Sequence, residues 1–143
     1  MPTPTAPRLS PRALDTQQQR LVRDYQPASR ALTAYEIAFR EARARRLPRV
    51  RLVAQAHRLR AIVGSSLGRV RGDAATGPTN DAKELLVGAL RARRRALDAL
   101  IAGRAGYQKR WDRSVVLARR GLTKLQDIRD EARLIPLPED SIS

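Results

Sequence analysis

LPRVRLVAQAHRLRAIVGSSLG (residues 47–68) and LLVGALRARRRALDALIAGRAG (residues 85–106) decide how this chain reads. In the first stretch Val50, Ala54, His57, Ala61, Gly64 and Gly68 recur at alternating steps of four and three. In the second, Leu85, Ala89, Ala92, Ala96, Ala99, Gly103 and Gly106 do the same. That alternation keeps one face of an α-helix turned toward a partner. Folding the chain back between the stretches sets Gly68 against Leu85, Gly64 against Ala89 and Ala61 against Ala92. Further along it sets His57 against Ala96, Ala54 against Ala99 and Val50 against Gly103. Small residues in register predict a close pair, near the ~8 Å end of helix–helix spacings.

Outward from this pair, Ser10-Pro11 is a helix start, with a hydroxyl cap and proline at the first helical position. A first helix over about 11–46 then carries Leu14, Gln18, Leu21, Tyr25, Ala28, Leu32, Tyr35, Phe39 and Ala42 on one stripe. The stripe continues across Pro27, which predicts a kink rather than a break. Pro48 marks a turn or a second kink. The second helix, about 49–70, contains no acidic residue and has another apolar stripe in Leu52, Ala56, Leu59, Val63 and Val70. Residues 71–80 are a loop. Asp81 and Glu84 have capping-box spacing and open a third helix over about 81–103, with Leu86, Leu90, Leu97 and Leu100 beside its alanine seam. Gly103 and Gly106 mark either a turn or a stutter. The fourth helix, about 107–134, carries Trp111, Val115, Ala118, Leu122, Leu125 and Ala132 and stops before Pro136.

The same fold-back extended to the outer helices pairs Ala42 with Trp111, Phe39 with Ser114 and Tyr35 with Ala118, large against small. The predicted fold is all-α, an antiparallel four-helix up-down bundle, with a long kinked two-helix hairpin or coiled coil as the alternative. Its single domain spans 10–135, between a Pro-rich arm (1–9) and a short acidic tail (136–143). With 143 residues, 42% hydrophobic content and only five aromatics, the core must be mostly Leu, Val, Ile and Ala.

Charge is the second strong feature: 29 basic residues face 14 acidic ones, for a net charge of +15. Such a domain repels itself and attracts polyanions. The chain has no cysteine, so it holds no disulfide or thiolate metal site. No secretory signal and no run of ~18 apolar residues is visible, which points to the cytoplasm or the interior of a particle.

Nothing suggests catalysis, a cofactor or a metal. The single histidine, His57, falls in the small seam opposite Ala96, where packing accounts for it, and one histidine cannot supply a zinc or di-iron site. Glu36 with Arg40 and Asp98 with Arg94 have the spacing of solvated helical ion pairs. Arg71-Gly72-Asp73 matches an integrin-binding tripeptide, but nothing else marks an extracellular protein.

The basic clusters remain. Arg91, Arg93, Arg94 and Arg95 form one knot, and Arg119 with Arg120 a smaller one. In an up-down bundle the first connection and the third lie at one end. Arg40, Arg43, Arg45, Arg46, Arg49 and Arg51 would therefore join Arg104, Lys109, Arg110 and Arg113 in one anion-binding cap. Arginine suits phosphate because its planar fork donates two hydrogen bonds at once. Without a helix-turn-helix, aromatic RNA-binding motif or zinc finger, the expected partner is nucleic-acid backbone without sequence specificity, or another polyanion. The alternative is a structural subunit of a virion or ribonucleoprotein, docking onto protein neighbours or further copies of itself through its arm and basic face.

Overall fold

The computed structural model describes residues 10–44 and 48–134. They form four helices: α1 (Pro11–Arg43), α2 (Arg49–Gly72), α3 (Pro78–Ile101) and α4 (Tyr107–Glu131). Consecutive helices pack against one another, and the chain is an all-α antiparallel bundle, not a long hairpin. The Pro-rich arm, the acidic tail, and Arg45, Arg46 and Leu47 lie outside the described residues.

Local signals account for most boundaries. Ser10 Oγ accepts from the Ala13 amide at 3.2 Å and opens α1, which runs through Pro27 without a break. α1 ends at Arg43, earlier than 46. α3 begins at Pro78, not Asp81, because Gly77 (φ 55°) swings the chain round and Pro78 supplies a preset first helical residue. Asp81 is then a first-turn acid near the helix's positive end rather than its cap. α3 closes with Gly103 at φ 69°, Arg104 N–H donating to Ala99 O at 2.7 Å and Gly103 N–H to Leu100 O at 3.1 Å. This pair of bonds is the Schellman pattern, and it turns the chain where a stutter was the alternative.

The core belongs to the larger stripes. Leu52, Ala56, Leu59, Val63, Leu67 and Val70 of α2 are buried, as are Leu86, Val87, Leu90, Leu97 and Leu100 of α3. The small seam of α3 is inside too, at Ala89, Ala96 and Ala99. The matching seam of α2 is not. Ala54, His57, Ala61 and Gly68 are exposed, and Val50 is 81% exposed. The predicted α2–α3 small-seam pairing is therefore wrong, and His57 is a surface residue. Two stripes competed for one interior, and the Leu/Val stripe removes more apolar area from water.

The close approach forms between α3 and α4 instead. A Cβ on Gly121 would stand 3.0 Å from Leu86 Cδ2 and 3.2 Å from the Ala82 carbonyl. The outer pair is corrected as well: Tyr35 faces Trp111, with ring centroids 4.5 Å apart, and Phe39 faces Tyr107 edge-on at 5.6 Å. Relative to the expected Tyr35–Ala118, the register has moved by one heptad. A heptad shift keeps the same stripes facing each other, so periodicity could not exclude it. Large side chains meet large ones across this seam because aromatic rings gain from offset and edge contacts.

At the end opposite the predicted cap, a polar cluster ties three helices together. Arg129, 3% exposed, pairs with Asp15 at 2.8 Å and donates to Gln18 Oε1 at 3.3 Å, while Gln18 Nε2 donates to Thr79 Oγ1 at 3.4 Å.

Candidate functional site

The described members of the predicted cap do come to one end of the bundle. Arg40 and Arg43 lie in the last turn of α1, and Arg49 and Arg51 in the first turn of α2. Arg104 sits in the α3–α4 turn, and Lys109, Arg110 and Arg113 on the first two turns of α4. Three contacts close this end. The Arg49 guanidinium lies over Gly103, with Nη2 3.2 Å from where a Cβ would stand. The Arg43 guanidinium rests 5.4 Å from the Phe39 ring centroid, and Phe39 in turn meets Tyr107. Arg45 and Arg46 fall outside the described residues.

All eight described cations are exposed. Among the described residues the ion pairs are Arg23–Asp24, Arg60–Asp98, Lys124–Asp81 and Arg129–Asp15, so none of the eight described cap cations has a described carboxylate within 4.0 Å. The expected Glu36–Arg40 and Asp98–Arg94 pairs are absent from this set. Asp98 reaches across to Arg60 of α2 instead. The packing also polarises the molecule lengthwise. The half toward the cap (described residues within 28–65 and 88–118) carries fifteen basic residues and four acidic ones. The other half carries eleven basic and eight acidic ones.

Two helices begin at this end, and their starts reinforce the charge. Neither α2, behind Pro48, nor α4, behind Gly106 (φ 90°), has a side-chain cap or a first-turn acid. Their orphan N–H groups and positive dipole ends therefore face the same solvent as the arginines.

The knot of Arg91, Arg93, Arg94 and Arg95 splits. Three of its members are exposed, but Arg93 is 2% exposed and points into the core. Its place on the stripe Leu86, Leu90, Arg93, Leu97, Leu100 was the available signal. The Arg71-Gly72-Asp73 tripeptide is not presented, because Asp73 is buried.

Sequence reasoning missed one feature of this end. Between α1 and α4 lies a cleft of about 400 Å³ with Tyr35, Phe39 and Trp111 on its walls and Arg40 and Arg43 along it. Burial, and then the neighbouring Tyr107, hold the Tyr35 phenol far above its usual range, so it stays neutral. No described helix is long and apolar enough to cross a membrane. Comparison with known protein families, curated proteins and solved structures returned no match for this chain.

Proposed function

We propose that the chain is a non-enzymatic, arginine-rich helical module that binds a polyanion, nucleic-acid backbone above all, through the cap at the α1–α2 and α3–α4 connections. One observation carries the reading. Among the described residues, separate segments of the chain deliver eight exposed cations to one end, none with a carboxylate partner, in a half where basic residues outnumber acidic ones fifteen to four. Arginine forks on exposed helix ends suit phosphate oxygens, and such contacts carry no base information.

The test is a binding series against mixed-sequence DNA at increasing salt. Log affinity should fall linearly with log salt, by about 0.9 per phosphate contacted on a duplex. Replacing Arg43, Arg49, Arg110 and Arg113 with Gln should flatten the slope. The same change at Arg12, Arg20, Arg69 and Arg71, toward the other end, should not. Salt-insensitive binding, or none at ~100 mM salt, would remove the reading.

A second reading, a structural subunit of a virion or ribonucleoprotein, draws support from α2. Its outer side presents Val50, Ala54, Ala61 and Gly68 to solvent, with Ile62 38% exposed beside them. Small exposed residues of this kind let a neighbouring protein approach closely. In that case removing residues 1–9 should abolish incorporation into the assembly and leave the melting temperature of the isolated domain unchanged.

A further inference from the structure

The α1–α4 cleft separates its chemistry by depth. Its volume of about 400 Å³ lies within the ~300–1,000 Å³ range of small-ligand sites. The walls are flat rings: Tyr35 and Phe39 lie nearly parallel, with centroids 6.0 Å apart and planes 21° apart, and Trp111 continues from Tyr35. Phe39 is only half-buried, and the Arg43 guanidinium lies across its face. Two carboxylates also line the cleft. Glu36 is half-buried, and Asp112 accepts from Gln108 Nε2 at 2.9 Å. Arg40 and Arg43, both exposed and without carboxylate partners among the described residues, add the cations.

Phosphate does not suit the interior, because the half-buried Glu36 would repel it there, while Asp112 is exposed like the arginines. Phosphate does suit Arg40 and Arg43. A nucleobase has the opposite preference, with a π face for the rings and N–H donors for the Glu36 carboxylate. A nucleotide unit therefore matches the cleft in one orientation, base inward and phosphates outward on the arginines. In a duplex the base is stacked and paired and cannot enter.

We propose that this cleft receives an unstacked base of a single-stranded nucleic acid. The proposal rests on the polyanion reading and narrows it from backbone in general to single strands. Stacking on an aromatic side chain is tolerant of sequence, so the reading without sequence specificity is kept.

The experiment uses the full chain with a mixed-sequence DNA single strand of roughly 12 nucleotides, within the usual site sizes, and with the same sequence as a duplex. Affinity is read by anisotropy at several salt concentrations, and the environment of Trp111, the chain's only tryptophan, by its emission. The single strand should bind several-fold tighter than the duplex at equal salt and quench Trp111. Phe39→Leu, which keeps apolar bulk but removes the ring face, should weaken single-strand binding by roughly 5- to 100-fold and duplex binding far less, the small duplex effect arising because Phe39 also seats Arg43 of the cap. The Trp111 signal of the unaltered protein decides the matter even where Phe39→Leu folds poorly. Salt-dependent binding of both forms with equal affinity and no quenching overturns the cleft while the polyanion reading stands. No salt-dependent binding of either form overturns both.

Discussion

Arg93 Nε donates to Ser114 Oγ at 3.2 Å across the α3–α4 seam, in the interior of the bundle. Ser114 passes the interaction on to the Trp111 carbonyl at 2.6 Å. The Arg93 guanidinium lies 5.7 Å from the Tyr25 ring centroid and 6.0 Å from that of Trp111, and its Nη1 has no hydrogen-bond partner among the described residues. Arg129, equally buried, has a carboxylate in Asp15. The two buried arginines are therefore held in different ways, one by aromatic faces and a hydroxyl, the other by a counterion.

That difference sets opposite signs for one substitution. Arg93→Met keeps the length of the side chain and removes a desolvated charge that only cation–π contacts and a neutral hydroxyl offset. It should stabilise the fold by ~1–3 kcal/mol. Arg129→Met strips Asp15 of its cation, leaving it the Gln19 side-chain amide, removes a donor from Gln18, and should destabilise by ~1–3 kcal/mol. Urea unfolding of the two variants measures both, and equal signs would contradict the contrast.

The faces of the helices were legible in the sequence, and their pairing was not. The stripes Leu52–Leu59–Val70 and Leu86–Leu97–Leu100 follow from periodicity, and Gly103 marks the last turn by backbone chemistry. α2, however, carries two stripes, and the choice between them depends on total buried area, which no single helix reveals. Tyr35 could face Ala118 or Trp111 because the candidates are one heptad apart and present the same face. The cationic cap was readable because helix polarity alone brings Arg40, Arg49 and Arg110 to one end. The aromatic cleft was not, because it exists only in the register that brings Tyr35 to Trp111.

Acid strengthens one joint of the fold. Asp73, at the end of α2, is 8% exposed, and Lys83 Nζ donates to its carbonyl at 2.7 Å and to that of Arg71 at 3.0 Å. Burial, and then a hydrogen bond with the Asp24 carboxyl and the charge of that group, raise the Asp73 pKa from 3.8 to about 6, against the pull of Arg20 and Lys83. The folded state therefore binds a proton between pH ~4 and ~6 that the unfolded chain has released. This group's contribution to stability falls as pH rises through that window. Asp73→Asn should raise the melting temperature at pH 7, and the gain over the unaltered protein should shrink toward pH 4. A gain that is constant with pH would show that Asp73 titrates normally.

The end of α4 holds avoidable backbone strain. Arg133 has φ 55°, and Leu134 N–H donates to Arg129 O at 2.8 Å, the same closing pattern that Gly103 provides for α3. An L side chain in left-handed geometry costs roughly 1 kcal/mol, and glycine avoids this. Arg133→Gly should stabilise by ~0.5–1 kcal/mol in thermal or urea unfolding. A loss would mean that the arginine side chain contributes more than its backbone costs.

Three glycines on two helices separate the observed packing from the small-seam alternative. At Gly64 and Gly68 of α2 an added Cβ would have no neighbouring atom within 4 Å, whereas Gly121 of α4 lies against Leu86 and the Ala82 carbonyl. Gly64→Ala and Gly68→Ala should each stabilise by ~0.5–1 kcal/mol, because alanine improves helix propensity and its methyl group meets no obstacle. Gly121→Ala should destabilise by ~1–3 kcal/mol, since Leu86 must move and the backbone oxygen cannot. Were the α2 seam packed against α3, the first two changes would also carry an overpacking cost. Urea midpoints that fall for Gly64→Ala and Gly68→Ala and hold for Gly121→Ala would restore the α2–α3 seam.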